Sequence, residues 1–283
     1  MTRANNLQFQ IYLQSISDKY KHWWNLYTLT DAEGKKRQEK QLSSPFEFGL
    51  IVETLHPKQT EEKQSEEKTE SLPVLEGICK YASNHVLLVG KPGSGKSTAL
   101  ARLLLEKAQT NLEKDSQANS VNKTIIPIHV ELRIWQTSTL QRIQAFIQQL
   151  DPNLSIDETT LKTLLRQGKF LLLIDGVNEL PSEDARRQIA AFRKDFPQTP
   201  MIFTTRDLGV GGDLGIEKKL EMQPLNETQM HKFVMAYLPP PQGEEMLQHL
   251  GDRLQEFGKA PLLLWMLCSL FQQTGNIPPN LGN

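Results

Sequence analysis

At 283 residues, 38% of them hydrophobic, the chain is long enough for one sizeable core with a smaller satellite, or for two modest domains. A formal net charge of -1 gives no general field for polyanions, so bulk electrostatics point to neither nucleic acid nor an anionic membrane. Two cysteines, Cys79 and Cys268, show no pairing pattern and no C-x-x-C spacing, which excludes a disulfide framework and a structural zinc site and fits a reducing cytoplasm.

The opening MTRANNLQFQIYLQSI has no unbroken apolar core and no small-residue cleavage site, so it is not a secretory signal. Phe9, Tyr12, Leu13, Ile16, Tyr20, Trp23 and Trp24 recur at helical spacing, which predicts a helical flank within residues 1–57 whose apolar face must cover something. Residues 58–70, KQTEEKQSEEKTE, carry no apolar side chain and cannot repay their ordering entropy by burial. They read as a solvated linker, with an acidic recognition tail as the alternative. Ser71 to Ala82 is expected to be a helix leading into a short buried strand, Val86 to Val89.

Directly after that strand come Gly90, Lys91, Pro92, Gly93, Ser94, Gly95, Lys96, Ser97 and Thr98, the full G-x-x-x-x-G-K-[ST] spacing of a phosphate-binding loop. Glycines let the backbone turn its N–H groups toward phosphate oxygens, Lys96 supplies a cation, and the Ser97 hydroxyl can complete the shell of a Mg²⁺ ion. The spacing alone arises by chance in roughly one chain of this length in a hundred. Here the flanks agree as well, because Leu100, Leu103 and Leu104 place a helix start at the loop's end. A merely structural glycine loop is the alternative.

Strand-like and helix-like segments then alternate. Strands are expected at Thr124 to Glu131, Phe170 to Ile174, Met201 to Thr205 and Lys219 to Met222, with helices at Leu140 to Leu150, Glu158 to Arg166 and Glu183 to Phe196. Asp207 to Gly215 holds four glycines and reads as a loop. From Asn226 the pattern is helical only: Asn226 with Gln229 resembles a helix-start box, Pro239 to Pro241 break the helix, and two more follow over Glu244 to Phe257 and Leu262 to Gln273. The most apolar stretch, Pro261 to Phe271, is about half the roughly 20 residues that span a bilayer. The expected fold is α/β: a mostly parallel five-stranded sheet with helices on both faces over residues 71–223, then a small all-α domain over 224–283.

Asp175 stands where the apolar run FLLLI leaves its strand. In an open parallel sheet ligands gather at the carboxyl ends of strands, so Asp175 is expected to face the phosphate loop across adjacent strand ends and to hold Mg²⁺, usually through a water. A turn former or helix cap is the plain alternative. Glu179 reads as a general base that polarises water, or else as an exposed loop carboxylate. The intervening strand, Thr124 to Glu131, and the acidic residue after Asp175 favour hydrolases of the additional-strand type. GTPases are disfavoured, since Asn122, Lys123, Thr124 and Ile125 lack the Asp of a guanine-reading stretch and precede their strand. Thr204, Thr205 and Arg206 end the next strand; Arg206 suits phosphate sensing, or an ion pair with Asp207 or a neighbouring helix. A small-molecule kinase is a lesser reading, with no acceptor constellation in view.

The ordered set GKPGSGKST, IPIHVELR, FLLLIDGVNELP, IFTTRD and GKAPLLLWMLC resembles the NACHT branch of the STAND class of P-loop ATPases, over about residues 80–270. That resemblance implies ATP or ADP with Mg²⁺, slow ATP hydrolysis with Glu179, Lys96 and Arg206 as the catalytic set, and a switch in signal transduction that self-associates in its ATP state. Gly176 supplies the family's small residue after the metal aspartate. Asn178 replaces the first of the usual acidic pair, which favours a second reading, an interaction module that binds nucleotide with little turnover. Gly258 and Pro261 resemble the family's glycine-proline element, whose proline packs near adenine. Trp24, Tyr27 and Thr28 resemble the N-terminal flank of bacterial members, with the chain near Thr28 at the base. Members typically continue into a winged helix and a sensor region, so the chain is expected to be a switch module without its sensor, or a truncated member.

Overall fold

The computed structural model describes residues 8–27, 49–55, 69–116, 124–135, 138–206, 214–251 and 258–277. Helix α1 (Gln10–Tyr27) is followed by strands β1 (Ile51–Leu55) and β2 (Ser71–Pro73), helix α2 (Val74–Tyr81), strand β3 (Val86–Val89) and helix α3 (Lys96–Ser116). Then come β4 (Ile126–Glu131), α4 (Thr139–Leu150), α5 (Glu158–Arg166), β5 (Phe170–Asp175), α6 (Glu183–Asp195), β6 (Met201–Thr205) and β7 (Lys218–Met222). Helices α7 (Glu227–Tyr237), α8 (Pro240–Leu250) and α9 (Pro261–Thr274) complete the order.

The strands form one sheet in the order β2-β1-β7-β3-β6-β5-β4. The five strands expected from the sequence are all present and mutually parallel, and β1 and β2 extend them as an antiparallel pair beside β7. Strands β3 and β6 are buried along their whole length, as central parallel strands covered on both faces must be, which is why they read as unbroken apolar runs. Strand β1 alternates instead, burying Val52 and Thr54 while Ile51, Glu53 and Leu55 stay half-exposed.

Four expectations need correction. Ile51–Leu55, assigned to the helical flank, is a strand of the sheet. The helix expected over Ser71 to Ala82 begins only at Val74, because Ser71–Pro73 pairs with β1 and Pro73 then serves as the N-cap. The helix expected from Glu244 starts at Pro240: proline is tolerated in a first helical turn, so the Pro239 to Pro241 run both ends α7 and opens α8. Finally, Asp175 and the phosphate loop do not lie on adjacent strands. Strand β6 separates β3 from β5, so the additional strand is β6, whereas β4 lies at the outer edge beyond β5.

The apolar face of α1 covers the β4 side of the molecule. Tyr12, Leu13 and Ile16 are fully buried there, and the Tyr12 hydroxyl donates to the Pro127 carbonyl at 2.7 Å. Edge-to-face ring contacts of Phe9 with Phe170 and of Tyr12 with Phe146 complete the seam. Both edge strands contain a proline, Pro73 in β2 and Pro127 in β4. Ile126 N–H donates inward to the Lys169 carbonyl, so by alternation Pro127 presents its backbone to the outer margin.

Helices α7, α8 and α9 pack on one another. The expected box is present: Asn226 accepts from Gln229 N–H and Gln229 accepts from Asn226 N–H, while the Gln229 amide also donates to the Gly49 carbonyl just before β1. Both cysteines are unpaired; Cys79 is exposed, and burial pushes the Cys268 thiol up to about 12. Among the described residues no helix is long and apolar enough to cross a membrane.

Candidate functional site

The loop Gly90 to Thr98 leaves the carboxyl end of β3 and runs into α3. The first bond of that helix joins Ala99 N–H to the Gly95 carbonyl at 2.8 Å, so the preceding amides have no acceptor within the helix. Together with the helix dipole they make an anion-binding concavity. Lys91 and Pro92 are exposed at its rim, Gly90 and Ser94 are buried, Gly95, Lys96 and Thr98 are half-buried, and Ser97 is exposed at the helix start. Gly93 has φ +74°, and a Cβ there would lie 2.9 Å from Cβ of Leu262. That closeness has a cause: Leu262 N–H donates to the Gly93 carbonyl at 3.2 Å, tying the start of α9 to the tip of the loop. Pro261 stands at the first position of α9, one residue before this contact.

The Lys96 ammonium donates to the carbonyls of Gly90 and Lys91, the latter at 3.0 Å. Burial lowers its pKa; the carboxylate of Asp175 works the other way, Arg206 adds to the lowering, and Glu179 again opposes it. Lys96 therefore shares one electrostatic neighbourhood with all three charged residues singled out in the sequence. They arrive from three strand ends: Lys96 after β3, Asp175 and Glu179 at and after β5, and Arg206 after β6.

Asp175 is held rather than loose. Register pairs Ile174 with Phe203, which sets Thr204 opposite Asp175. The Thr204 hydroxyl donates to Asp175 Oδ1 and accepts from Gly176 N–H at 2.8 Å. Thr204 is buried, at 1% exposure, so this bridge is shielded from water. Nothing along the sequence marks Thr204 as the partner of Asp175; the pairing of β5 with β6 reveals it. Gly176 has φ +89°, and a Cβ there would come within 3.0 Å of Glu179 Oε2. A glycine is thus required where the chain folds Glu179 back over a single 3₁₀ turn, Val177–Glu179.

The Arg206 guanidinium pairs with Glu179 Oε1 at 3.1 Å, at the end of the neighbouring 3₁₀ turn; Asp207, the other expected partner, lies outside the described residues. Arg206 N–H donates to Asn178 Oδ1 at 3.1 Å, so the carboxamide at the position expected to be acidic fastens the end of β6 to the turn after β5. The flank residue Thr28 and the side chains of Trp24 and Tyr27 lie outside the described residues.

The donor set fits a magnesium nucleotide. Among the described residues no group of three or more His, Cys, Asp or Glu side chains could enclose an ion. Ser97 and Asp175 supply one hydroxyl and one carboxylate, and Mg²⁺ characteristically completes such a partial shell with phosphate oxygens and water.

The NACHT domain family model matches residues 84–240, more than half of the chain. The comparison with curated proteins found no match. Among solved structures, a Walker-type ATPase of Pyrococcus abyssi is similar, with TM-score 0.47 and 13% identity over 71% of this chain and 67% of that one. The Aeropyrum pernix ORC1 protein in complex with DNA has TM-score 0.46 and 15% identity over 71% of this chain, which spans 58% of it. Thermotoga maritima RuvB has TM-score 0.37 and 15% identity, with 71% of this chain and 60% of that one covered.

Proposed function

This chain belongs to the NACHT domain family of nucleotide-binding P-loop NTPases, and from that premise we propose that it is an ATP- and ADP-binding switch with slow hydrolysis. The observation that carries this reading is the gathering of Lys96, Asp175, Glu179 and Arg206 around one loop from three strand ends. In this reading Lys96 and the loop amides hold the phosphates, Ser97 and Asp175 hold Mg²⁺, Arg206 senses the terminal phosphate and Glu179 orients the attacking water. A bound divalent ion would offset charge that develops on the phosphates during transfer.

Switching needs a contact that the two nucleotides stabilise unequally. The Leu262 N–H bond to Gly93 supplies the connection, because it joins the start of α9 to the phosphate loop that follows β3. Resemblance to the family supports signalling by self-association in the ATP state and a role for Pro261 beside the base.

A second reading, a module that binds nucleotide and barely turns it over, is favoured by one observation: Glu179 is engaged by Arg206 and the neighbouring residue is the neutral Asn178. Calorimetric titration with ATP and ADP tests nucleotide binding, and Lys96→Ala is expected to weaken it at least about tenfold, the loss of one strong charge-assisted contact. Retained affinity in that variant overturns the assignment. Single-turnover phosphate release separates the two readings: Glu179→Gln slows it if the chain is a hydrolase and leaves it unchanged if it is a binding module.

A further inference from the structure

Resting on the nucleotide reading above, we propose that Glu179 and the terminal phosphate of a nucleoside triphosphate compete for the Arg206 guanidinium, so that this pair sets the preference for triphosphate over diphosphate. The two residues are anchored by their backbones and not by their side chains. Arg206 N–H is fixed to Asn178 Oδ1, and Glu179 N–H donates to the Gly176 carbonyl at 2.8 Å. Their charged ends meet in solvent, with side-chain exposures of 54% for Arg206 and 34% for Glu179. An ion pair so exposed is weakly held and easily exchanged.

The charges around it define what can take Glu179's place. Lys96, at the heart of the phosphate loop, is influenced by Arg206, Glu179 and Asp175 together. An anion seated on Lys96 therefore lies in the field of the same guanidinium. A phosphate offers three oxygens and more charge than a carboxylate, and arginine's planar fork matches it. Asn178 matters here through its neutrality: it secures the Arg206 backbone without adding a second carboxylate to compete for the side chain. A diphosphate, one phosphate shorter, leaves the Glu179–Arg206 pair in place. A triphosphate draws Arg206 away and releases Glu179 at the moment a water must be oriented, which couples sensing to catalysis through a single exchange of partners.

The test is a binding cycle with a non-hydrolysable ATP analogue and ADP, each with Mg²⁺, on the parent, Glu179→Gln, Arg206→Gln and the double variant. Glu179→Gln is expected to raise the ratio of analogue to ADP affinity by about threefold, the size of an exposed ion pair. Arg206→Gln is expected to lower that ratio, and the double variant to match Arg206→Gln. An equal rise on adding Glu179→Gln in the Arg206→Gln background shows that the carboxylate simply repels phosphate, and overturns the proposal. An unchanged ratio in Glu179→Gln overturns it too. Either result in a parent that binds nucleotide leaves the functional reading standing, whereas a parent that binds neither ligand removes both.

Discussion

The Thr204 hydroxyl links the carboxylate of Asp175 to the amide of Gly176, joining the ends of β6 and β5 through one buried oxygen. This fixes Asp175 Oδ1 and leaves the other carboxylate oxygen for a ligand. Thr204→Val keeps the shape and deletes the hydroxyl, leaving a buried amide and a carboxylate oxygen short of a partner, at a cost of about 1–3 kcal/mol. The expected outcome is a smaller gain in nucleotide affinity on adding Mg²⁺, with affinity in EDTA little changed. Thr204→Ser restores the gain. Titrations with and without Mg²⁺ read this directly, and a Thr204→Val protein with the parent's Mg²⁺ dependence refutes the positioning role.

Gly93→Ala places a methyl group 2.9 Å from Leu262 Cβ at a backbone angle of φ +74°. The left-handed conformation costs a residue with a Cβ about 1–2 kcal/mol, and the contact adds to it because neither backbone can yield alone. The variant is expected to melt a few degrees lower, at about 2–4 °C per kcal/mol for a domain of this class, and to bind nucleotide more weakly. Differential scanning calorimetry with and without ATP measures both; an unchanged melting temperature contradicts the close approach.

His129 lies buried under α1 and α4 with both ring nitrogens lacking a hydrogen bond, Glu131 Oε1 being 4.0 Å from Nδ1. Burial pulls its pKa below the ordinary 6.5, Asp175 and Glu131 partly opposing this while Arg133 and Lys19 reinforce it. The unfolded chain takes up its proton first as pH falls, so this residue's contribution is intact above 6.5 and declines from 6.5 down toward the depressed folded value. His85 behaves alike, burial being the main cause. His129→Leu is expected to make the fall of urea stability below pH 6.5 shallower, with stability near pH 8 within about 1.5 kcal/mol of the parent. The same slope in parent and variant rules the buried imidazole out as its source.

The phosphate loop and the strand-terminal Asp175 were legible because their chemistry depends on spacing along the chain. Central strands were legible because burial on both faces leaves an unbroken apolar run, as in Phe170 to Ile174. Strand β1 escaped notice since IVETL is short, half-exposed and set beside a charged stretch, and its pairing with β7 spans some 165 residues of sequence, with Thr54 opposite Leu220. The place of β6 between β3 and β5 is a fact of order in space that linear order does not carry. For that reason the partners of Thr204 and Arg206, both across the β5–β6 boundary, emerged only from the fold.

The two prolines at the sheet's margins bear on how copies of this protein can meet. Neither Pro73 nor Pro127 has an amide hydrogen to offer an incoming strand, and the carbonyl of Pro127 is already taken by Tyr12. Lateral zipping of one molecule's backbone onto the next, the route to fibrous aggregates, is blunted on both flanks. Any contact between copies at these two margins would rest on side chains rather than on a shared ladder of backbone hydrogen bonds.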